Sequence, residues 1–120
     1  MTERFEGERI LMRIFIGESD RCTVGEHRGK PLYEALLLKL RARGFAGATV
    51  LRGVAGFGAS AKVHTDRVLR LSLDLPIVIE AVDTEARIAE VRPDLDRMIG
   101  GGLVTLEKVQ VVLYRPEDGT

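Results

Sequence analysis

The feature that most constrains this chain is a repeated change of hydrophobic spacing, from the period of a strand to that of a helix and back. Strands alternate apolar and polar residues with period two, whereas helices align apolar residues about every 3.6 positions. The sequence predicts, in order, a strand at 10–16, a helix at 31–43, strands at 48–54 and 77–82, a helix at 84–99 and a strand at 103–114. This order predicts a ferredoxin-like βαββαβ sandwich of the α+β class, with a long loop between strands 2 and 3.

Local signals refine several element boundaries. Gly44 is placed to end the first helix in a left-handed conformation, and Asp83 or Thr84 can cap the start of the second. Pro93 should kink the second helix or split it in two, because proline removes a backbone donor. The alternation of the last strand slips at 107–108, which suggests a bulge there.

Length and charge narrow the class of protein. The 120 residues predict one domain over 1–120, with a core at about 8–114 and polar tails. Lysine plus arginine and aspartate plus glutamate balance at 18 each, so the basic footprint of a nucleic-acid partner is missing. No apolar run approaches the roughly 20 residues of a membrane helix, and the charged N-terminus lacks a signal core. With Cys22 as the single cysteine, a reducing cytoplasm is the expected location.

Apolar residues lie on both faces of the predicted sheet. Two helices cover one face of such a sheet, and the other face should be polar in a monomer. The residues that break this expectation include Leu11, Phe15, Val78, Val82, Val109, Val111, Val112, Leu113 and Tyr114. An uncovered apolar face usually marks an interface, so we predict an oligomer whose sheets pack against each other. The alternative is that the long loop folds back over this face.

Several segments together resemble one known family. They are residues 13–20, 29–35, 44–53, 56–60, 75–80 and 102–107, and the resemblance extends over about 8–114. The family is the uncharacterised prokaryotic group of PII-like proteins whose genes often neighbour a fluoride channel gene.

The resemblance implies a PII-like, usually trimeric, signalling protein rather than an enzyme. PII relatives bind nucleotides in clefts between subunits and contact a membrane transporter or an enzyme through a mobile loop between strands 2 and 3. By position, residues 55–74 correspond to that loop. The end of this segment, 69–75, also alternates apolar and polar residues as a strand does, up to Pro76. PII proteins carry a Gly-Asp-Gly-Lys run before the last strand. Here 100–103 reads Gly-Gly-Gly-Leu, without the phosphate-pairing lysine.

Two glycine-rich segments and a few cations are the candidate ligand contacts. Closely spaced glycines let backbone N–H groups form an anion-binding concavity, and cations nearby would add charge. The alternative is that the glycines serve turns or end a helix. The predicted ligand-binding residues are Gly53, Gly56, Phe57, Gly58, Lys62, His64, Gly100, Gly101, Gly102 and Arg115.

Catalysis and metal binding receive little support from the residue pattern. No acid–base or nucleophile constellation can be assembled from the spacing, so we predict no enzyme, no catalytic residue and no cofactor. The alternative function is a divalent-cation tolerance protein of the CutA type, which shares the trimeric fold. Its soft ligands would have to come from Cys22, His27 and His64. A metal site nevertheless needs three or four ligands in one geometry, and we predict none.

Overall fold

A computed structural model describes residues 6–58 and 74–117 of the chain. Over these residues it has six elements: β1 (Gly7–Gly17), α1 (Leu32–Ala42), β2 (Thr49–Arg52), β3 (Pro76–Asp83), α2 (Glu85–Met98) and β4 (Leu103–Val111). The predicted α+β class and ferredoxin-like element order are confirmed, and most of the predicted long loop between strands 2 and 3 lies outside the described residues.

The four strands form one antiparallel sheet in the order β2-β3-β1-β4. β1 lies in the centre and pairs with β3 on one side and β4 on the other. The third strand thus lies between the first two, which is the split βαβ arrangement. The two edges differ in length, because β2 has four residues and β4 has nine.

The core lies between the sheet and the two helices. Alternate residues of β1, namely Met12, Ile14 and Ile16, are buried on this face, as are Ile77 and Ile79 of β3. The helices cover them with side chains spaced three or four positions apart, as an amphipathic helix requires. These are Leu32, Ala35, Leu36 and Leu40 of α1 and Ile88, Val91, Leu95 and Met98 of α2.

A buried carboxylate ties the two helices together. The Asp94 side chain is 2% exposed, and it accepts hydrogen bonds from Arg43 Nε at 2.7 Å and Nη2 at 3.2 Å. Arg97 Nη2 adds a third bond at 3.0 Å. The hydrogen bonds from Arg43 are the main reason that the pKa of Asp94 is lowered from its usual value, despite the opposing effect of burial. Asp94 is therefore a charged group of the core with its charge satisfied.

The helix ends follow the predicted signals, but the proline does not. Gly44 lies just beyond α1 with φ of 83°, the left-handed conformation that glycine adopts without strain. Thr84 caps α2, and its hydroxyl oxygen accepts from the Arg87 backbone N–H at 3.2 Å. Of the two outcomes predicted for Pro93, the split is wrong, because α2 runs through it as one helix, and the kink stays a prediction. Pro93 lies beyond the first turn of α2, where backbone N–H groups have no partner within the helix, so it costs the helix one hydrogen bond. The buried residues on either side of Pro93 stabilise the helix at this point.

The last strand also differs from its prediction. The pairing of β4 with β1 runs without a break from Leu103 opposite Phe15 to Val111 opposite Gly7, so the predicted bulge at 107–108 is wrong. The apolar and polar residues stop alternating at 107–108, where both residues are polar. Glu107 is polar because it pairs with Arg13, and Lys108 is tolerated on the other face because β4 is an edge strand with both faces partly open. β4 ends at Val111 instead of 114. The predicted strand at 69–75 falls almost entirely outside the described residues.

Candidate functional site

A cavity of about 250 Å³ opens at the end of the sheet where β1 finishes and β3 and β4 begin. It collects residues from four separate stretches of sequence, because antiparallel pairing brings the end of β1 beside the starts of its two neighbours. The lining residues are Phe15, Ile16, Gly17, Phe57, Gly58, Asp74, Pro76, Gly101, Gly102 and Leu103.

Both ends of the segment that connects β2 to β3 are anchored at this cavity, and its described ends are called the outgoing and returning arms. On the outgoing arm, the Gly53 backbone N–H donates to the Pro76 carbonyl oxygen at 2.7 Å and extends the β2–β3 ladder by one bond. On the returning arm, the Glu18 N–H donates to the Leu75 carbonyl oxygen at 2.8 Å. The cavity lies between these two attachments, with Phe57 belonging to the first arm.

Two glycines allow the walls of the cavity to approach each other closely. A Cβ at Gly102 would lie 2.7 Å from the Phe15 carbonyl oxygen, which is backbone and cannot move aside cheaply. A Cβ at Gly17 would lie 2.5 Å from Asp74 Oδ1. Any side chain at either position would therefore displace a wall of the cavity.

The charges around the cavity are acidic or internally paired. The Asp74 carboxylate accepts a hydrogen bond from the Ser19 backbone N–H through Oδ1 at 2.9 Å. Glu18 Oε2 pairs with Arg52 Nη2 at 2.7 Å and links the ends of β1 and β2. Within the described lining, Asp74 is the one ionisable side chain, so the cavity presents a carboxylate among apolar surfaces and backbone.

The structure brings together some of the ten predicted ligand residues but not all. Phe57, Gly58, Gly101 and Gly102 line the cavity, although the two glycine segments are far apart in sequence. Gly53 and Gly56 lie just behind it: a Cβ at either would fall about 3 Å from Pro76 Cγ (2.9 and 3.0 Å), and Pro76 is a wall residue. Gly100 is exposed next to the lining pair. Lys62 and His64 lie outside the described residues.

Arg115 lies away from the cavity within one chain. Its neighbour Tyr114 lines a second groove, beside Leu11, Val82 and Val111. That groove is roughly 20 Å from Gly17 along β1, at the usual rise of a strand. Arg115 and the glycine segments therefore lie at different ends of the sheet, and one chain does not join them in a single site.

Sequence reasoning missed three lining residues that matter most. Phe15 belongs to the predicted first strand, Gly17 to the loop predicted after it and Asp74 to a loop arm, and none of them was given a site role. A signal for Gly17 was present, since a glycine at the end of a strand often marks close backbone approach. The contact of Asp74 with the Ser19 N–H joins residues 55 positions apart, and no local pattern indicates it.

The sheet face away from the two helices carries a second arrangement, and it is called the uncovered face because no described helix or strand packs on it. The alternative that the long loop folds back over this face lies outside the described residues. Arg13 lies at the centre of this face, and its Nε donates to Glu80 Oε2 at 2.9 Å while its Nη1 donates to Glu107 Oε1 at 3.0 Å. Hydrogen bonding to Glu80 is the largest cause of the raised pKa of Arg13. Apolar side chains surround these three residues on the same face, including Leu11, Phe15, Leu51, Val78, Val82 and Leu103. Leu51 is 48% exposed and Leu103 is 56% exposed.

The remaining candidates have local roles. The buried Cys22 Sγ donates to the Val24 carbonyl oxygen at 3.2 Å, and His27 Nε2 lies 4.0 Å from Glu26 Oε1. Over residues 6–58 and 74–117, no group of three or more His, Cys, Asp or Glu side chains is arranged to hold a metal ion. Among the helices of those same residues, none has the length and apolar character needed to cross a membrane.

The fold is that of the PII-like proteins. A PII-like signalling protein of Thermus thermophilus superimposes with a TM-score of 0.55 at 19% sequence identity, covering 89% of this chain and 92% of the other. Residues 9–111 match the family described as DUF190, "Uncharacterized ACR, COG1993". The chain belongs to this family. The resemblance predicted from the sequence is thus confirmed for the PII-like fold, while the gene neighbourhood stays a prediction.

Two relatives agree with this assignment. A UPF0166 protein of Aquifex aeolicus is 36% identical over 107 residues, which cover 88% of this chain and 94% of the relative. A UPF0166 protein of Methanocaldococcus jannaschii is 32% identical over 102 residues, covering 84% and 89% respectively. The similarity therefore spans nearly the whole length of both relatives.

Proposed function

We propose that this protein is a non-enzymatic, cytoplasmic PII-like regulator. It acts as a homotrimer, binds a nucleotide at the clefts between subunits, and contacts a membrane transporter or channel through the 55–74 loop. The observation that carries this proposal is the cavity between the two anchored arms of that loop. Phe57 and Gly58 line it from the outgoing arm and Asp74 from the returning arm, so a ligand there touches both.

The mechanism is a change in the arrangement of the loop on ligand binding. A ligand shifts an equilibrium between two conformations only if it binds one of them more tightly. Contacts with both arms give the ligand a higher affinity for one conformation of the loop. The two sets of contacts form together only in the conformation that holds the arms at the spacing that the ligand requires. The loop then meets or leaves its membrane partner as an order–disorder switch.

The uncovered sheet face supports assembly of several copies, and the number three comes from the PII-like resemblance. A sheet face with half-exposed leucines and a central ion-pair group is poorly suited to water, and burial against neighbouring copies would remove the apolar part from solvent. Packing of this kind also creates clefts at the rim of the face, where Phe15 and Leu103 join it to the cavity. Arg115 of one copy can reach such a cleft only from another subunit.

Nucleotide binding is tested by calorimetry combined with hydrogen exchange. We expect ATP, ADP, AMP or a cyclic nucleotide to give saturable heat, and the same nucleotide to slow amide exchange in 53–58 and at Asp74 and Leu75. Gly102→Val is the matched variant, because its side chain would press on the Phe15 carbonyl oxygen, and it should weaken binding at least about tenfold. Absence of heat with every nucleotide, together with unchanged exchange, would refute the proposed ligand.

Assembly is tested by sedimentation or native mass spectrometry. Leu11→Lys places a cation in the uncovered face, whereas Leu38→Lys changes an exposed leucine of α1 outside that face. We expect wild type and Leu38→Lys to be trimers and Leu11→Lys to dissociate to folded monomers. A monomeric wild type, or three proteins with one identical mass, would contradict the assembly.

The membrane partner is tested with liposomes that contain a purified fluoride channel. We expect wild-type protein to float with these liposomes and not with empty ones, and the saturating nucleotide to change the bound fraction. A variant in which residues 59–73 are replaced by a short Gly-Ser linker should lose flotation while keeping its oligomeric mass. Equal flotation of wild type and this variant would remove the loop from the contact.

A further inference from the structure

The cavity has a charge pattern that suits one part of a nucleotide better than the other. Its described walls combine the rings of Phe15 and Phe57, the side chain of Leu103 and glycine backbone with a single carboxylate, Asp74. Resting on the proposed nucleotide function, we infer that the cavity holds a planar ring bearing an amino group, and that Asp74 accepts a hydrogen bond from that amino group. The phosphates then point away from the cavity.

The position of Asp74 makes it an acceptor for the ligand. Its Oδ1 atom is fixed by the Ser19 backbone N–H at 2.9 Å, which orients the carboxylate. Its Oδ2 atom receives no hydrogen bond from the residues that the structure describes. The carboxylate lies directly over Gly17, where a Cβ would be 2.5 Å from Oδ1 and 2.9 Å from Oδ2. A carboxylate held by one oxygen leaves the other able to accept from a bound molecule.

The apolar walls favour a ring over a phosphate or an alkyl ammonium ion. A phosphate next to Asp74 would meet a like charge with no cation among the described lining residues to offset it. An alkyl ammonium ion would lose its water against the phenyl rings and gain one ion pair. A flat heterocycle gains from contact with the apolar side chains of Phe15, Phe57 and Leu103 and with the glycine backbone at Gly101 and Gly102, and its amino group exchanges water for the hydrogen bond to Asp74.

The discriminating experiment compares AMP with IMP, in which an oxo group replaces the amino group at one ring position and the adjacent ring nitrogen N1 gains a hydrogen. The amino group donates to Asp74, whereas the oxo oxygen would face it as a second acceptor. We expect wild-type protein to bind AMP at least about tenfold more tightly than IMP in calorimetry, since a site built to accept a hydrogen bond rejects an analogue that has an acceptor in place of the donor. In Asp74→Asn the side chain can donate or accept, so the ratio should fall to about threefold or less.

Two further variants separate the role of Asp74 from general damage. Gly17→Ala keeps the carboxylate but displaces it, so the AMP to IMP ratio should also fall toward about threefold. Asp96→Asn removes an exposed carboxylate from a groove beside α2 and β4, and its ratio should equal that of wild type.

Each outcome decides a different claim. If no nucleotide binds, both the proposed function and this inference fail. If AMP and IMP bind wild type equally, the inference fails while nucleotide binding stands. If the ratio persists in Asp74→Asn and Gly17→Ala, the amino group is recognised elsewhere and Asp74 is not the acceptor. If tetramethylammonium binds more tightly than AMP, the cavity is a site for organic cations and the ring assignment is overturned.

Discussion

The two faces of the sheet use the same strands and differ in what covers them. On the helix side, Ile14 and Ile79 have no exposed surface, and apolar residues fill the space between sheet and helices. On the other side, Leu51 and Leu103 are about half exposed around the ion pairs of Arg13. The apolar residues of the first face are buried when a single chain folds. The second keeps features that a single chain does not need, because apolar exposure lowers solubility and central charges resist desolvation.

Neighbouring residues of β3 provide the sharpest test of this difference. Ile79 points into the core and Val78 to the uncovered face. We expect Ile79→Ala to lower the free energy of unfolding by about 3 kcal/mol, because it removes buried methylene groups and leaves a cavity. In a monomeric background such as Leu11→Lys, Val78→Ala should cost about 1 kcal/mol or less, since part of its surface is already exposed. Denaturant titration at one protein concentration measures both.

The same pair of variants also reports on assembly. If copies cover the open face, the unfolding midpoint of wild type rises with protein concentration, and Val78→Ala reduces that dependence. Equal losses from the two substitutions in the monomeric background would show that the faces do not differ as described.

Asp94 extends the comparison to charge on the helix side. Its pKa is lowered chiefly by Arg43, so the ionised form stabilises the fold. A lowered pKa contributes stability that is fully present above the unfolded value, near pH 3.9, and that is lost as pH falls through the folded value. We expect Asp94→Asn to lower the unfolding free energy by about 2 kcal/mol at neutral pH. The gap between the two proteins should narrow below about pH 4, and a gap that is constant down to pH 2 would contradict the assignment.

The fold was predictable because its signals are local and agree with one another. The strand period at 10–16, the stripe on α1, the Gly44 position and the Thr84 cap each report on a few consecutive residues. Where two local signals conflicted, the sequence misled. Pro93 opposes a helix, but Val91, Asp94 and Leu95 bury the same turn, and their packing prevails.

The site was predictable only in part, because its geometry depends on chain segments far apart in sequence. Glycine-rich segments could be recognised as candidates, and four of the ten predicted residues line the cavity. Asp74 gave no such signal, since its role arises from a contact with Ser19 across the returning arm. The separation of Arg115 from the cavity depends on the antiparallel pairing of β1 with β4, which sets which strand ends meet.

Thr84 tests a smaller contribution on the helix side. Its hydroxyl oxygen accepts from the Arg87 N–H, which would otherwise lack a partner in the first turn of α2. We expect Thr84→Ala to lower the unfolding free energy by about 1 kcal/mol and Thr84→Ser to lower it by much less, because serine retains the acceptor. Equal losses for alanine and serine would mean that the threonine methyl group, and not the cap, stabilises this end of the helix.

Glu107 tests the smallest effect on folding and returns to the uncovered face. Its side chain is 59% exposed, and it accepts from Arg13 Nη1 at 3.0 Å. An ion pair this exposed contributes little in water, so Glu107→Gln should change monomer stability by less than about 0.5 kcal/mol. Covered by a neighbouring copy, the same pair would lose its water, and breaking it would leave Arg13 with fewer acceptors in a desolvated interface. We therefore expect the variant to weaken assembly at least about fivefold in sedimentation while its monomer unfolds as wild type does; unchanged assembly would place this face in solvent.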